Sequence, residues 1–344
     1  MTVKNRCFII AEIGVNHNGN LDLARKLIDV AVEAGADAAK IQTFKAEDLI
    51  VAGTKTVEYQ RRNGAEDDQF RLLKSLELSH DQHRQLVEYC ALRGIEFMST
   101  GFDIASLQFL VELGIRRIKI PSGEITNTPL VEVAARTCLP IIISTGMATL
   151  DEVRDCIRAV RDVWQALGHD GDLCVLHCTT AYPTALSDVN LAAMHTMQKT
   201  LDEKIGYSDH TAGILVPPLA VAAGARVLEK HITLDRRMQG PDHAASIEPG
   251  ELKRMVSEIR LIETVLGDGV KAPKPVELAT RALVRKGLKF AAEFPKGHVV
   301  SAADFVSLRP ETGLPPARLK SLVGKTLVKA VAIYDAVEEE HFEF

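Results

Sequence analysis

Eight short apolar runs, each ending in polar or ionisable residues, do most to limit what this chain can become. In order they are FIIAEIG (8–14), AAKIQTF (38–44), EFMST (96–100), RIKIPSGE (117–124), PIIISTG (140–146), LCVLHCTTAYP (173–183), KIGYSDH (204–210) and RVLEKHIT (226–233). A buried parallel strand reads as a near-continuous aliphatic run, and most of the gaps carry helical periodicity, as in 21–36 and 151–167. Strand and helix alternating eight times predict an α/β chain folded as a closed (β/α)8 TIM barrel. The carboxyl ends of the strands meet at one mouth of such a barrel, so Glu12, Lys40, Lys119, His210 and His231 should share a pocket despite their separation in sequence.

A single barrel takes roughly 250 residues, so a chain of 344 has room for a second unit. The barrel should span 1–267 and end with the helical stretch 249–267; 268–284, with two prolines among charges, reads as a linker; 285–344 turns β-rich, with Gly and Pro turns. The connection 46–78 is long and charged (VEYQRRNGAEDDQFRLL, 57–73), as expected of a loop that builds a site or its lid. No apolar stretch reaches the ~20 residues of a membrane span, and the start through Met1, Lys4 and Arg6 lacks a signal-peptide pattern. Six cysteines without CxxC spacing read as buried hydrophobes in a reducing compartment, so a cytoplasmic enzyme is expected. With a net charge of −5 and no basic stripe, nucleic acid is not expected as a partner.

His210 and His231 close neighbouring strands and could share one cation. A lone histidine at a strand end can equally be a satisfied core residue. Two imidazoles without a nearby thiolate suit an exchangeable divalent ion with open positions, and His177 is a third candidate ligand. Lys40 and Gln42 alternate along strand two and should both point inward. Lys119 adds a second cation, and Ser99, Thr100, Ser122, Ser144, Thr145, Gly146 and Ser208 add short donors, a set that suits a phosphate. Lys40 could instead form a Schiff base or pair structurally with Glu12. Glu12 itself reads either as a general base or as that partner, while Asp209, Glu229, Glu124 and Asp242 are further acids placed near the mouth, each supporting or catalytic. Asn16-His-Asn-Gly19 reads as a turn into the first helix, with Asn20 as its N-cap.

The segments 11–49, KIPSGE (119–124), IISTGM (142–147), LHCTTAYP (176–183), GYSDHT (206–211), LEKHIT (228–233) and 239–249 resemble the sialic acid synthases. The similarity covers nearly the whole chain, and SLRPETGLPP (307–316) looks like part of the antifreeze-like (β-clip) domain that follows the barrel in that family. The resemblance implies condensation of phosphoenolpyruvate with N-acetylmannosamine in its aldehyde form, giving N-acetylneuraminate and phosphate. It also implies a divalent ion, Mn2+ or Mg2+, on His210 and His231, and phosphoenolpyruvate on Lys40, Thr100, Lys119, Ser122, Ser144 and Ser208. Glu12 would act on the water that adds to C2. Gln42, Tyr182 and Asp242 would bind the sugar, joined by Arg309 from the partner subunit of a domain-swapped homodimer.

Two positions depart from the family pattern: Gly101 stands where Pro is usual, which should loosen the turn beside Thr100, and Thr180 where Asn is frequent. The block GPDH (240–243) favours the sialic and legionaminic branches over the pseudaminic one. A legionaminate synthase using a 2,4-diacetamido mannose-type sugar is therefore the close alternative. A metal-dependent aldolase or isomerase, or a carbohydrate-binding module on an inactive barrel, is more remote.

Overall fold

The computed structural model describes residues 6–51, 53, 54 and 68–343. The chain forms two compact units, Met1–Gly267 and Asp268–Phe344. In the first, the elements run β1 (Phe8–Gly14), α1 (Leu21–Ala34), β2 (Ala38–Thr43), α2 (Ala46–Leu49), α3 (Gln69–Leu76), α4 (His80–Arg93), β3 (Glu96–Gly101), α5 (Ile104–Glu112), β4 (Ile118–Ile120) and α6 (Thr128–Arg136). They continue through β5 (Ile141–Ser144), α7 (Leu150–Ala166), β6 (Leu173–His177), α8 (Ala192–Thr200), β7 (Lys204–Asp209), α9 (Val216–Ala222), β8 (Val227–His231) and α10 (Pro249–Leu266). The eight strands form a closed barrel in sequence order, and β1 completes it by pairing in parallel with β8. The (β/α)8 expectation therefore holds.

Local chemistry starts the helices where the sequence signals them. Asn20 caps α1, its side chain accepting from the backbone N–H groups of Asp22 and Leu23, and Thr149 with Glu152 forms a reciprocal capping box on α7. The amphipathic faces behind these caps bury Leu27, Ile28 and Ala31 from α1 and Val153, Val160 and Trp164 from α7.

Strand alternation then divides each run between two environments. Ile9, Ala11, Ile13, Ile41, Phe97, Ile143, Val175 and Leu228 belong to the shell core that also takes the helices' apolar faces. Ile10, Ala38, Met98, Ile142, Cys174, Leu176 and Val227 form a separate buried cluster inside the barrel. The polar strand ends therefore rest on a hydrocarbon plug rather than over a channel. Two of the runs overshoot most, since β4 ends at Ile120 and β6 at His177, and their polar tails form loops.

The second unit contains β9 (Gly287–Phe290) and β10 (Phe305–Leu308), an antiparallel pair, with its own core of Leu288, Phe290, Val300, Leu322, Leu327, Val331, Val337 and Phe342. The stretch 268–284, expected as plain linker, contains α11 (Pro275–Val284). Pro275 falls at the helix start, where a missing N–H costs no bond, and the N–H of Lys274 donates to Glu277 at 2.7 Å. Of the charged connection expected as a lid, 57–67 lie outside the described residues, as do Met1 and Lys4; α2 and α3 frame the rest. Among the described residues no helix is long and apolar enough to cross a membrane.

Candidate active site

Glu12, Lys40 and Glu229 face one another across the barrel interior just above the plug. Lys40 Nζ lies 2.8 Å from Glu12 Oε2 and 3.5 Å from Glu229 Oε2, while Lys119 Nζ lies 3.5 Å from Glu229 Oε1. Lys40 also donates to Thr100 Oγ1 at 3.0 Å, Lys119 to Ser144 Oγ at 2.6 Å, and Ser208 to Glu229 Oε1 at 3.0 Å. All of these side chains are buried. Parallel register explains the grouping: Glu12 is level with Lys40 and His231, Thr100 with Lys119, and Ser208 with Glu229.

The two carboxylates sit in different fields. Burial drives Glu12 up to about 7, with Glu229 adding to the rise and Lys40 opposing it. Burial also pushes Glu229 upward, but Lys119 and Lys40 outweigh it and hold that group at about 2. The floor thus pairs one carboxyl pushed toward its neutral form with another held ionised by the lysines.

Above this floor the rings of His210 and His231 lie 5.6 Å apart, centroid to centroid. His210 Nδ1 donates to the Thr179 carbonyl at 2.7 Å, which leaves Nε2 with a lone pair. His231 Nδ1 is buried without a hydrogen-bond partner, 4.0 Å from Asp242 Oδ2. Burial lowers both imidazoles, His231 the more strongly, so both are neutral and able to donate a lone pair. No cluster of three or more His, Cys, Asp or Glu suited to a metal exists among the described residues. Two neutral imidazoles, one with an orphaned nitrogen, fit an exchangeable divalent ion with open positions and not a closed structural site.

The NeuB family matches residues 27–271 of the chain. The chain belongs to the NeuB family. It is 49% identical to the N,N'-diacetyllegionaminic acid synthase of Legionella pneumophila, over 98% of this chain and 95% of that protein. To the human N-acetylneuraminate-9-phosphate synthase it is 38% identical, over 98% and 93%. Among solved structures, the N-acetylneuraminic acid synthetase of Leptospira borgpetersenii, in complex with citrate, superposes with a TM-score of 0.71 at 36% identity, covering 80% of this chain and 90% of that one.

In this NeuB-family chain a cavity of about 250 Å³ gathers Glu12, Lys40, Gln42, Thr100, Lys119, Ser122, Ser144, Tyr182, Ser208, His210, His231 and Asp242. The Tyr182 ring packs 4.2 Å from that of His210, Ser122 Oγ accepts from the Gly146 N–H at 2.9 Å, and burial raises Asp242 to about 6. Arg309 is exposed just past β10 in the second unit.

Several expected residues are elsewhere, those on the strands because of their phase. His177 has the phase of Leu173 and Val175, faces the helical shell and contacts the Val189 carbonyl at 2.9 Å. Ser99 turns the same way onto Thr43 at 2.6 Å, and Thr145 donates to the Leu176 carbonyl at 2.9 Å. Asp209 is buried outside the barrel wall against Lys230, and Glu124 accepts from Asn127 at 2.6 Å. Glu229, only one of four acids in the sequence reading, is the centre of the floor; standing two residues before His231, it must share that side chain's face.

Both departures from the family pattern have a structural setting. A Cβ at Gly101 would come within 3.0 Å of the Leu107 backbone, so glycine lets α5 approach β3 closely rather than loosening a turn. A Cβ at Gly146 would meet Thr180 Oγ1 at 2.1 Å and Ser122 Oγ at 2.8 Å. Both atoms end side chains that can turn aside, and Thr180 is exposed, so Gly146→Ala should change stability by less than about 1 kcal/mol, close to the range of a surface substitution, which a urea unfolding curve would register.

Proposed function

We propose that this chain condenses phosphoenolpyruvate with the open aldehyde form of a 2,4-diacetamido mannose-type sugar, giving phosphate and an N,N'-diacetyllegionaminate-type nine-carbon keto acid. The observation that carries the reaction class is the floor of two lysines, two carboxylates and three hydroxyls beneath a pair of neutral imidazoles. The acceptor follows the 49% identity to the Legionella synthase in preference to N-acetylmannosamine, the first expectation from sequence.

Lys40 and Lys119, with Thr100, Ser122, Ser144 and Ser208, supply the positive charge and short donors that a phosphate and a carboxylate need together. A divalent ion such as Mn2+ or Mg2+, held by His210 and His231, would polarise the aldehyde oxygen of the sugar. Gln42, Tyr182 and Asp242 orient the sugar so that its carbonyl carbon meets C3 of phosphoenolpyruvate, where the new C–C bond forms. Glu12 takes a proton from the water that adds to C2, and the resulting tetrahedral carbon expels phosphate with C–O cleavage.

Arg309 belongs to this reading as a sugar contact delivered by the partner subunit of a domain-swapped dimer, with 285–344 as its antifreeze-like domain and the cytoplasm as its compartment. The test is phosphate release by the purified full chain with a panel of amino sugars. Release should require both phosphoenolpyruvate and an N-acetylated sugar, be fastest with the 2,4-diacetamido sugar, stop with chelator and return with Mn2+ or Mg2+. Release without any sugar, or indifference to chelator, would refute the condensation or the ion respectively.

A further inference from the structure

One side of the mouth has no use in phosphoenolpyruvate chemistry. Leu72, Leu73 and Leu76 from α3 and Phe102 after β3 line the same cavity as the charged floor and present only hydrocarbon to it. This wall is built in place. Phe102 is held edge-on to Phe44, 6.1 Å between centroids at 87°, and the leucines pack with Val15 and Phe44 in a cluster separate from the main core. At the start of α3 Asp68 accepts from the N–H groups of Phe70 and Arg71 at 3.0 and 3.3 Å; at its end Glu77 accepts from the N–H of Ala46 at 2.8 Å. Leu72, Leu73 and Phe102 remain half-buried, and part of what they leave uncovered is cavity surface.

A phosphate, a carboxylate or a reacting water gains nothing from such a surface, because each needs donors, and the donors are on the floor. A sugar hydroxyl laid against it would lose water without gaining a partner, whereas a methyl group would leave water at a profit. The acceptor with two acetamido groups carries one more methyl than the acceptor with one.

We infer that the Leu72–Leu73–Phe102 wall is the specificity element of the acceptor site, receiving the methyl of the second acetamido group. The inference rests on the proposed condensation and assigns its choice of sugar to α3, outside the strand ends where the chemistry is.

The experiment is steady-state kinetics of the full-length enzyme, metal-loaded and saturated with phosphoenolpyruvate, on the 2,4-diacetamido sugar and on N-acetylmannosamine. Leu72→Asn and Leu73→Asn should each lower the ratio of the two kcat/KM values by about tenfold or more, the scale of one misplaced apolar group, with KM for phosphoenolpyruvate unmoved. Leu72→Met, which preserves volume and apolarity, should keep the wild-type ratio. If a polar replacement does not fold by circular dichroism, Leu73→Ala takes its place and should lower the same ratio. Folded variants with an unmoved ratio overturn the inference and leave the condensation standing. A wild-type enzyme that releases phosphate with neither sugar overturns the condensation, and this inference with it.

Discussion

Glu12→Gln should lower kcat about 10²- to 10⁴-fold, the usual contribution of a positioned general base, without raising KM for phosphoenolpyruvate. The amide keeps the shape of the side chain and can still accept from Lys40, which lies 2.8 Å from the carboxylate it replaces. It also removes one negative charge from the floor where the proposed reaction puts an anionic substrate, so affinity should hold or improve. The pH profile separates this role from simple charge balance. Burial places the Glu12 carboxyl at about 7, and only its ionised form can take a proton. Activity should therefore rise with pH on an acid limb centred near that value, and the limb should vanish in the variant. Turnover within a few-fold of wild type would show that Glu12 serves only to balance Lys40.

Lys230→Met should cost about 3–5 kcal/mol of stability, the scale of breaking a buried ion pair from one side, although Lys230 has no place in the mouth. Its Nζ donates to Asp209 Oδ2 and to the Thr211 carbonyl, both at 2.5 Å, and the side chains of Lys230 and Asp209 are wholly inaccessible to solvent. Asp209 also accepts from the Thr211 N–H at 3.2 Å and hydroxyl at 3.0 Å. Methionine fills the space but leaves the buried aspartate charge without its cation. Urea unfolding should show the loss, and adding Asp209→Leu should recover part of it, because removing both partners leaves no unpaired buried charge. A single-variant loss below about 1 kcal/mol, the range of an exposed pair, would mean that this clamp carries no weight. Since Asp209 and Lys230 immediately precede His210 and His231, the same clamp fixes the spacing of the two imidazoles.

The barrel was legible because strands buried on both faces leave long aliphatic runs, and because closure brings every strand end to one mouth. Those ends do line one cavity, and the strand residues that miss it are those of the opposite phase. His177, Ser99 and Asp209 are polar residues in the right runs with the wrong phase, while Glu229 has the right one, as His231 two residues on marks. The helix Pro275–Val284 is hidden in the sequence because a proline that breaks a helix and one that begins it look alike. Leu72 and Leu73 gave no signal at all: they sit in a charged connection, and a leucine lining a cavity is spelled the same as one in a core.

The floor holds two ammonium groups already matched by two carboxylates before any ligand arrives. Inorganic phosphate and sulfate, which offer charge and little else, must compete with anions fixed beside the lysines. In the proposed condensation, which releases phosphate at this floor, the resident pairing would keep the leaving group from clogging the site and would yield only to a ligand that also engages the upper rim.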